Sequence, residues 1–141
     1  MKNKSIVSQA AKLTEKANAL IVSELKKRGI IGIAPSHGDI LVLLFGGKSL
    51  PMAQIAEAIH KTKATVSVLV DKLEAAGYAR RSQSEDDARV FLVSLTEKGE
   101  ALKPDFEAIS KFLHEKAFAN FSDFELDALE KLLKRAVSNL N

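Results

Sequence analysis

The 141-residue chain contains no cysteine. Disulfides, thiolate metal ligands, cysteine nucleophiles and thiol-based redox sensing are therefore excluded, and a reducing, cytoplasmic setting is expected. No long apolar run is present. The longest, Ile40 to Phe45, is far too short to span a bilayer, so no membrane partner is expected. The stretch MKNKSIVSQAAKLTEK lacks the apolar core of a secretory signal. Of the three histidines, His37, His60 and His114, none has a second histidine on the same helical face. Glu24, His37 and His114 are the one metal set that folding would have to bring together, and neither a metal nor another cofactor is expected. Gly46-Gly47-Lys48-Ser49 looks like the tail of a phosphate-binding loop, but the earlier glycine is missing and a helix, not a strand, precedes it. With no nucleophile paired to a base and no carboxylate cluster, an enzyme is not expected. Repeats, low-complexity segments and long linkers are also absent, so residues 1–141 read as one domain.

Charge is unevenly spread. Residues 1–28 carry seven basic side chains against two acidic, whereas residues 96–141 carry seven basic against nine acidic. The middle of the chain is nearly balanced, and its basic residues include Lys61, Lys63, Arg80, Arg81 and Arg89. Phosphate contacts need local positive charge. A modest supply per copy argues for two copies acting together.

Apolar spacing supplies the elements. Ile6, Ala10, Leu13, Ala17, Leu20, Ile21 and Leu25 predict a helix from about Ser5 to Arg28, stopped by Gly29. Lys26-Lys27-Arg28 in its last turn suits the helix dipole, with DNA contact as the other reading of that cluster. Pro35-Ser36 opens a second helix, apolar nearly all round, that ends at Gly46-Gly47 and should be buried on most sides. Ser36 and His37 stand at its N-terminus, where a DNA phosphate could sit or where they simply cap. Two short helices follow. One runs from Met52, with Ile55, Ala56 and Ile59 on its inner face. The other is capped by Thr62 and buries Val66, Leu69, Val70 and Leu73 until Gly77 ends it. Only His60 and Lys61 separate them. On the outer face of the second lie Ala64 and Val68, with Ser67 and Asp71 beside them and Lys63 and Thr65 flanking the first turn. Small, methyl-bearing and hydroxyl side chains there can approach base edges in a major groove. A solvated face of an ordinary helical hairpin is the alternative.

The next residues favour DNA. Tyr78 to Arg81 and Val90 to Leu95 predict two strands around the polar loop 82–89, which is a wing. A long helix from Glu97 to about Ala119 follows, with Pro104 kinking it or marking its first turns. Ser122-Asp123-Phe124-Glu125 is a capping box that opens the last helix.

The residues Lys63-Ala64-Thr65-Val66-Ser67, Leu69 to Glu74 and Gly77 resemble the multiple antibiotic resistance regulator (MarR) family of winged helix-turn-helix proteins. So do Asp87, Arg89, Val93, Leu95 and Thr96, in that family's D-x-R-x-x-x-V-x-L-T spacing, followed by Glu97-Lys98-Gly99. The motifs fill the central third, while length and helix order match throughout. Val68 and Ala88 depart from the family, which often carries basic residues there. The expected fold is mainly α: six helices with a β-hairpin wing between the fourth and fifth. Residues 34–96 would form the winged helix-turn-helix DNA-binding region, and residues 1–33 and 97–141 the dimerisation helices. Leu13, Leu20, Leu126, Leu129, Leu133 and Leu140 are the expected homodimer contacts. The implied function is sequence-specific double-stranded DNA binding by a transcriptional regulator. Such a repressor would respond to an unidentified small-molecule effector and bind a pseudo-palindromic site as a dimer. The expected DNA-binding residues are Ser36, Lys61, Thr62, Lys63, Ala64, Thr65, Ser67, Val68, Arg80, Arg81 and Arg89, with Asp87 positioning the wing. The alternative is a winged-helix protein–protein adaptor with weak, non-specific DNA binding.

Overall fold

The computed structural model describes residues 2–141 and arranges them as seven helices around a three-stranded antiparallel sheet. Helix α1 (Ile6–Lys27) buries Leu25 near its end and stops where Gly29 takes a positive φ. A connector with Ile30 and Ile33 turned inward leads to α2 (Pro35–Leu44). Proline suits that first turn because its missing N–H would have found no helical partner. Ile40, Leu41 and Leu44 have no exposed surface. They form the spine against which the two following helices pack, so α2 is buried on most sides as its composition predicts, with Asp39 and Val42 exposed.

Gly46 and Gly47 then turn the chain, both at positive φ, into a strand that the sequence does not announce: β1 (Ser49–Pro51). Three residues are too few to show alternation. Pro51 fits because β1 is an edge strand, and it also serves as N-cap of α3 (Met52–Ile59). Helix α4 (Lys63–Ala75) follows, then β2 (Ala79–Gln83) and β3 (Phe91–Leu95), in sheet order β1-β3-β2. Leu50 pairs with Val93, and Arg81 with Val93 from the other side. The first wing strand starts one residue later than expected, because the Tyr78 N–H still donates to the Leu73 carbonyl at the end of α4. Val93 and Leu95 enter the core.

The long helix expected after the wing is two. Helix α5 (Glu97–Glu100) ends after one turn, and α6 (Lys103–Ala117) begins with Pro104 in its first turn. Pro104 has no N–H for the carbonyl four residues back, so the ladder breaks there. Thr96 caps α5 by accepting the Gly99 N–H at 3.1 Å and donates its own hydroxyl proton to the Gly77 carbonyl. Gly99 must be glycine, since a Cβ there would overlap the Tyr78 carbonyl oxygen. Helix α7 (Asp123–Asn139) opens with the expected reciprocal box, Ser122 and Glu125 bonding at 2.9 and 3.1 Å. No residue of α7 is buried. Phe124 and Leu140 are 82% and 90% exposed, and Leu132, Leu133 and Val137 are also open, as are Ile6, Val7 and Leu13 of α1. Among the described residues no helix is long and apolar enough to cross a membrane.

Two ties hold the terminal helices, one to the central module and one to each other. The Glu100 carboxylate accepts the Gly46 and Gly47 N–H groups at 3.1 and 2.9 Å, which holds its pKa below the ordinary glutamate value. Arg28 at the end of α1 pairs with Asp105 of α6 at 2.9 Å.

Candidate nucleic-acid interface

The turn between α3 and α4 is set by His60, which takes a left-handed conformation at φ +55 and ends α3. Thr62 then caps α4. Its Oγ1 accepts the Thr65 N–H at 3.1 Å, and its hydroxyl lies 3.0 Å from Thr65 Oγ1. If Thr62 donates in that pair, Thr65 keeps a hydroxyl proton to give outward. Lys61, Lys63, Ala64, Thr65 and Val68 are exposed, Val68 by 68%. Buried Val66, Val70 and Leu73 anchor the opposite face. The first turns of α4 thus present two methyl-bearing side chains, a hydroxyl and two ammonium groups on a helix with a rigid back.

In the wing, the Ser84 N–H donates to the Val90 carbonyl and closes the loop. Asp87 accepts three hydrogen bonds from Arg89: from its backbone N–H at 3.0 Å, and from Nε and Nη2 at 3.2 Å each. These bonds hold the Asp87 carboxyl below the ordinary aspartate pKa. The Arg89 side chain is 90% exposed, so a solvent-facing guanidinium stands on the wing with its base held.

Not every residue proposed from the sequence is free to meet DNA. Arg81 is only 21% exposed, and both terminal nitrogens of its guanidinium are engaged within the protein. Its Nη2 donates to the Ser67 carbonyl at 2.9 Å and to Ser67 Oγ at 3.1 Å. Its Nη1 pairs with Asp71 at 2.8 Å and with Glu74, and its backbone N–H donates to Glu74 at 3.2 Å. Ser67 is half-buried beneath this network, whereas Arg80 is exposed. Ser36 is half-buried at the start of α2, and beside it His37 acts as a cap, with Nδ1 accepting the Ala34 N–H at 3.0 Å. Burial, followed by the charge of Lys72, pushes the His37 pKa down, so this buried imidazole is neutral at pH 7. Among the described residues no three His, Asp or Glu side chains gather as metal ligands would.

Sequence reasoning missed Glu74 as a partner of the wing. Its signal was a polar stripe, Ser67, Asp71 and Glu74 at i, i+4 and i+7, facing an arginine across a short turn. It also missed Lys98, whose ammonium donates to the Ala76 carbonyl at 2.7 Å and sits 4.7 Å from the centre of the Tyr78 ring. Two of the hollows beside the module lie along α6. An open groove of about 640 Å³ runs past Val42, Phe45 and Phe106 to His114. A more enclosed cavity of about 220 Å³ lies between α1, α2 and α6, with Ile21, Phe106, Ile109 and Leu113 around Asn18 and Asp39.

A family model described as MarR family matches residues 31–90. The HTH-type transcriptional regulator YkoM of Bacillus subtilis is 30% identical over 105 residues, covering 74% of this chain and 68% of that protein. The chain spans roughly two thirds of the length of such curated relatives. A MarR transcriptional regulator from Methanosarcina mazei Go1 superposes with a TM-score of 0.82 at 25% identity, covering 96% of both chains. The MepR–DNA complex of S. aureus gives a TM-score of 0.84 at 21% identity, covering 95% of this chain and 97% of that one, which speaks to the fold alone.

Proposed function

We propose, from the premise that this chain belongs to the MarR family of transcriptional regulators, that it is a dimeric repressor binding a pseudo-palindromic duplex site. The observation that carries this reading is the open face of α4 over Lys61 to Val68, capped by Thr62 and backed by buried valines. Placed in a major groove, that face offers Lys61 and Lys63 to phosphates and Ala64, Thr65 and Val68 to base edges. Arg89 is suited to the adjacent minor groove, whose narrow A·T-rich form concentrates negative potential.

Dimerisation supplies the second half-site. Exposed Phe124, Leu132, Leu133 and Val137 of α7, Leu140 at its end, and Ile6, Val7 and Leu13 of α1 offer apolar surface that a partner would cover. A two-fold interface through α1, α6 and α7 would cover them and fix the spacing of two recognition helices. Leu13, Leu133 and Leu140 are exposed for that purpose, while Leu20, Leu126 and Leu129 are already half-covered within the chain. The cavity between α1, α2 and α6 joins the dimerisation and DNA-binding parts, and a small effector is placed there. The residues facing it are mostly apolar.

The test is salt-dependent binding to a duplex selected from a random pool and to random duplex. A selected duplex bound much more tightly than random DNA, with a steep loss of affinity on adding salt, supports the reading. Weak, equal and salt-flat binding to both refutes it and favours the adaptor.

A further inference from the structure

We infer that Arg81 is a positioning residue for DNA recognition, clamping the wing to the recognition helix instead of touching DNA; this rests on the function proposed above. Three observations carry it. First, one guanidinium reaches acceptors on three residues of α4, namely Ser67, Asp71 and Glu74. A planar fork of five N–H donors can do this, whereas a lysine ammonium cannot match the same spread. Second, the covalent link between α4 and β2 is short and pivots at Gly77, at φ +82. Something other than the chain must set the angle between helix and wing. Third, Asp71 and Glu74 lie along α4 beyond the face offered to DNA. Left unpaired, both carboxylates would add negative charge to the side of a helix lying near phosphates.

The clamp has a counterpart on the other side of the same turn. Lys98 holds the Ala76 carbonyl, and Thr96 holds the Gly77 carbonyl. Arg81 ties β2 to the body of α4, while these two tie the start of α5, just past β3, to the turn that ends α4. Helix and wing then enter two grooves as one rigid piece, with the ordering cost met on folding and not on binding.

The test uses Arg81→Met, which keeps an unbranched stem of similar bulk and removes the guanidinium and its charge, Glu74→Ala, and the double variant. Affinities for the selected and random duplexes are read across salt concentrations. Backbone ¹⁵N relaxation of residues 79–91 is read in the DNA-free protein. The clamp predicts that Glu74→Ala weakens binding to the selected duplex about tenfold although it removes a negative charge. It predicts that the double variant binds no more weakly than Arg81→Met alone, as partners in one interaction do. Mobility of β2 should rise in both single variants, and Arg81→Lys should restore binding only in part. The inference is overturned if Glu74→Ala binds as tightly as the native protein or tighter. It is equally overturned if Arg81→Met lowers both affinities alike, reduces the salt slope by about one per protomer as a lost phosphate contact does, and leaves the wing as rigid as before. Should Arg81→Met fail to fold, Glu74→Ala decides. A native protein that binds neither duplex refutes the functional reading instead, and the relaxation data then decide whether Arg81 holds the wing.

Discussion

Arg89→Ala removes a solvent-facing guanidinium from the wing. In the free protein the side chain is 90% exposed and bonded only to Asp87, two residues away. An exposed local pair of this kind contributes little to the fold, so the thermal midpoint should stay nearly unchanged. Binding is a different matter. A single good groove contact is worth about 1–3 kcal/mol, equivalent to about 5- to 150-fold in affinity at each half-site. Fluorescence anisotropy with the selected duplex, over a range of salt, measures both the loss and the change in salt slope. Asp87→Ala is the sharper perturbation. Asp87 is ionised at neutral pH, since the Arg89 bonds lower its pKa, and it would be repelled by phosphates. On charge alone its removal should tighten binding. If its work is to hold Arg89, removal frees a flexible side chain that must be ordered again on the DNA, and binding should weaken. Tighter binding by Asp87→Ala at every salt concentration would falsify the positioning role.

Three further outcomes are expected. Leu133→Asp, which places a charge among the exposed apolar residues of α7, should shift the protein from dimer towards monomer in sedimentation at micromolar concentration; a native protein that is already monomeric sinks the dimer. Val68→Arg should move the preferred half-site from A·T-rich towards G·C, because on the proposed reading valine methyls can meet a thymine methyl whereas arginine reads guanine; selection of G-rich half-sites by the native protein refutes this. His37 has its pKa lowered by burial and Lys72, so the unfolded chain binds the extra proton more readily than the folded one. Its contribution to stability is complete above its ordinary value of 6.5 and falls as pH drops through 6.5 towards the lower folded value. Thermal midpoints between pH 7.5 and 5 should decline more steeply for the native protein than for His37→Gln, and equal slopes would argue against it.

The helices and the wing were legible because each leaves a local trace. Ile55, Ala56 and Ile59, then Val66, Val70 and Leu73, mark two inner faces by spacing alone, and the structure buries them all, Ile59 partly. Thr62 and Ser122 declare their helix starts by residue type, and both cap as expected. Strand β1 left no such trace, since three residues paired to a partner more than forty positions later have only tertiary reasons to be extended. The split between α5 and α6 was half legible: Pro104 marked the place, but not whether the helix would bend or break. Arg81 was read as one more cation available to DNA because a local reading counts charge without counting partners. Its partners lie 7 to 14 positions earlier, on a helix face whose neighbour the spacing could not name.

The ties found in the structure bear on how a ligand in the α1–α2–α6 cavity would reach DNA, under the effector reading proposed above. That cavity is bounded by α6, whose start is held to α1 by Asp105 and Arg28. Just upstream, Glu100 of α5 holds Gly46 and Gly47 at the end of α2, and Thr96 and Lys98 hold the turn that ends α4. A shift of α6 away from α1 therefore pulls, within eight residues of chain, on both the spine helix and the base of the recognition helix. Arg81 carries the same displacement from α4 into the wing. None of these contacts is strong alone, as most are exposed. What they oppose is independent movement: on the proposed reading helix and wing would turn together, so a small change in the cavity would be felt at two grooves of each half-site and again in the partner. Two recognition helices must match a fixed half-site spacing, and a rigid module converts a small rotation at its root into a misfit at both ends, where a loosely hinged wing would absorb it.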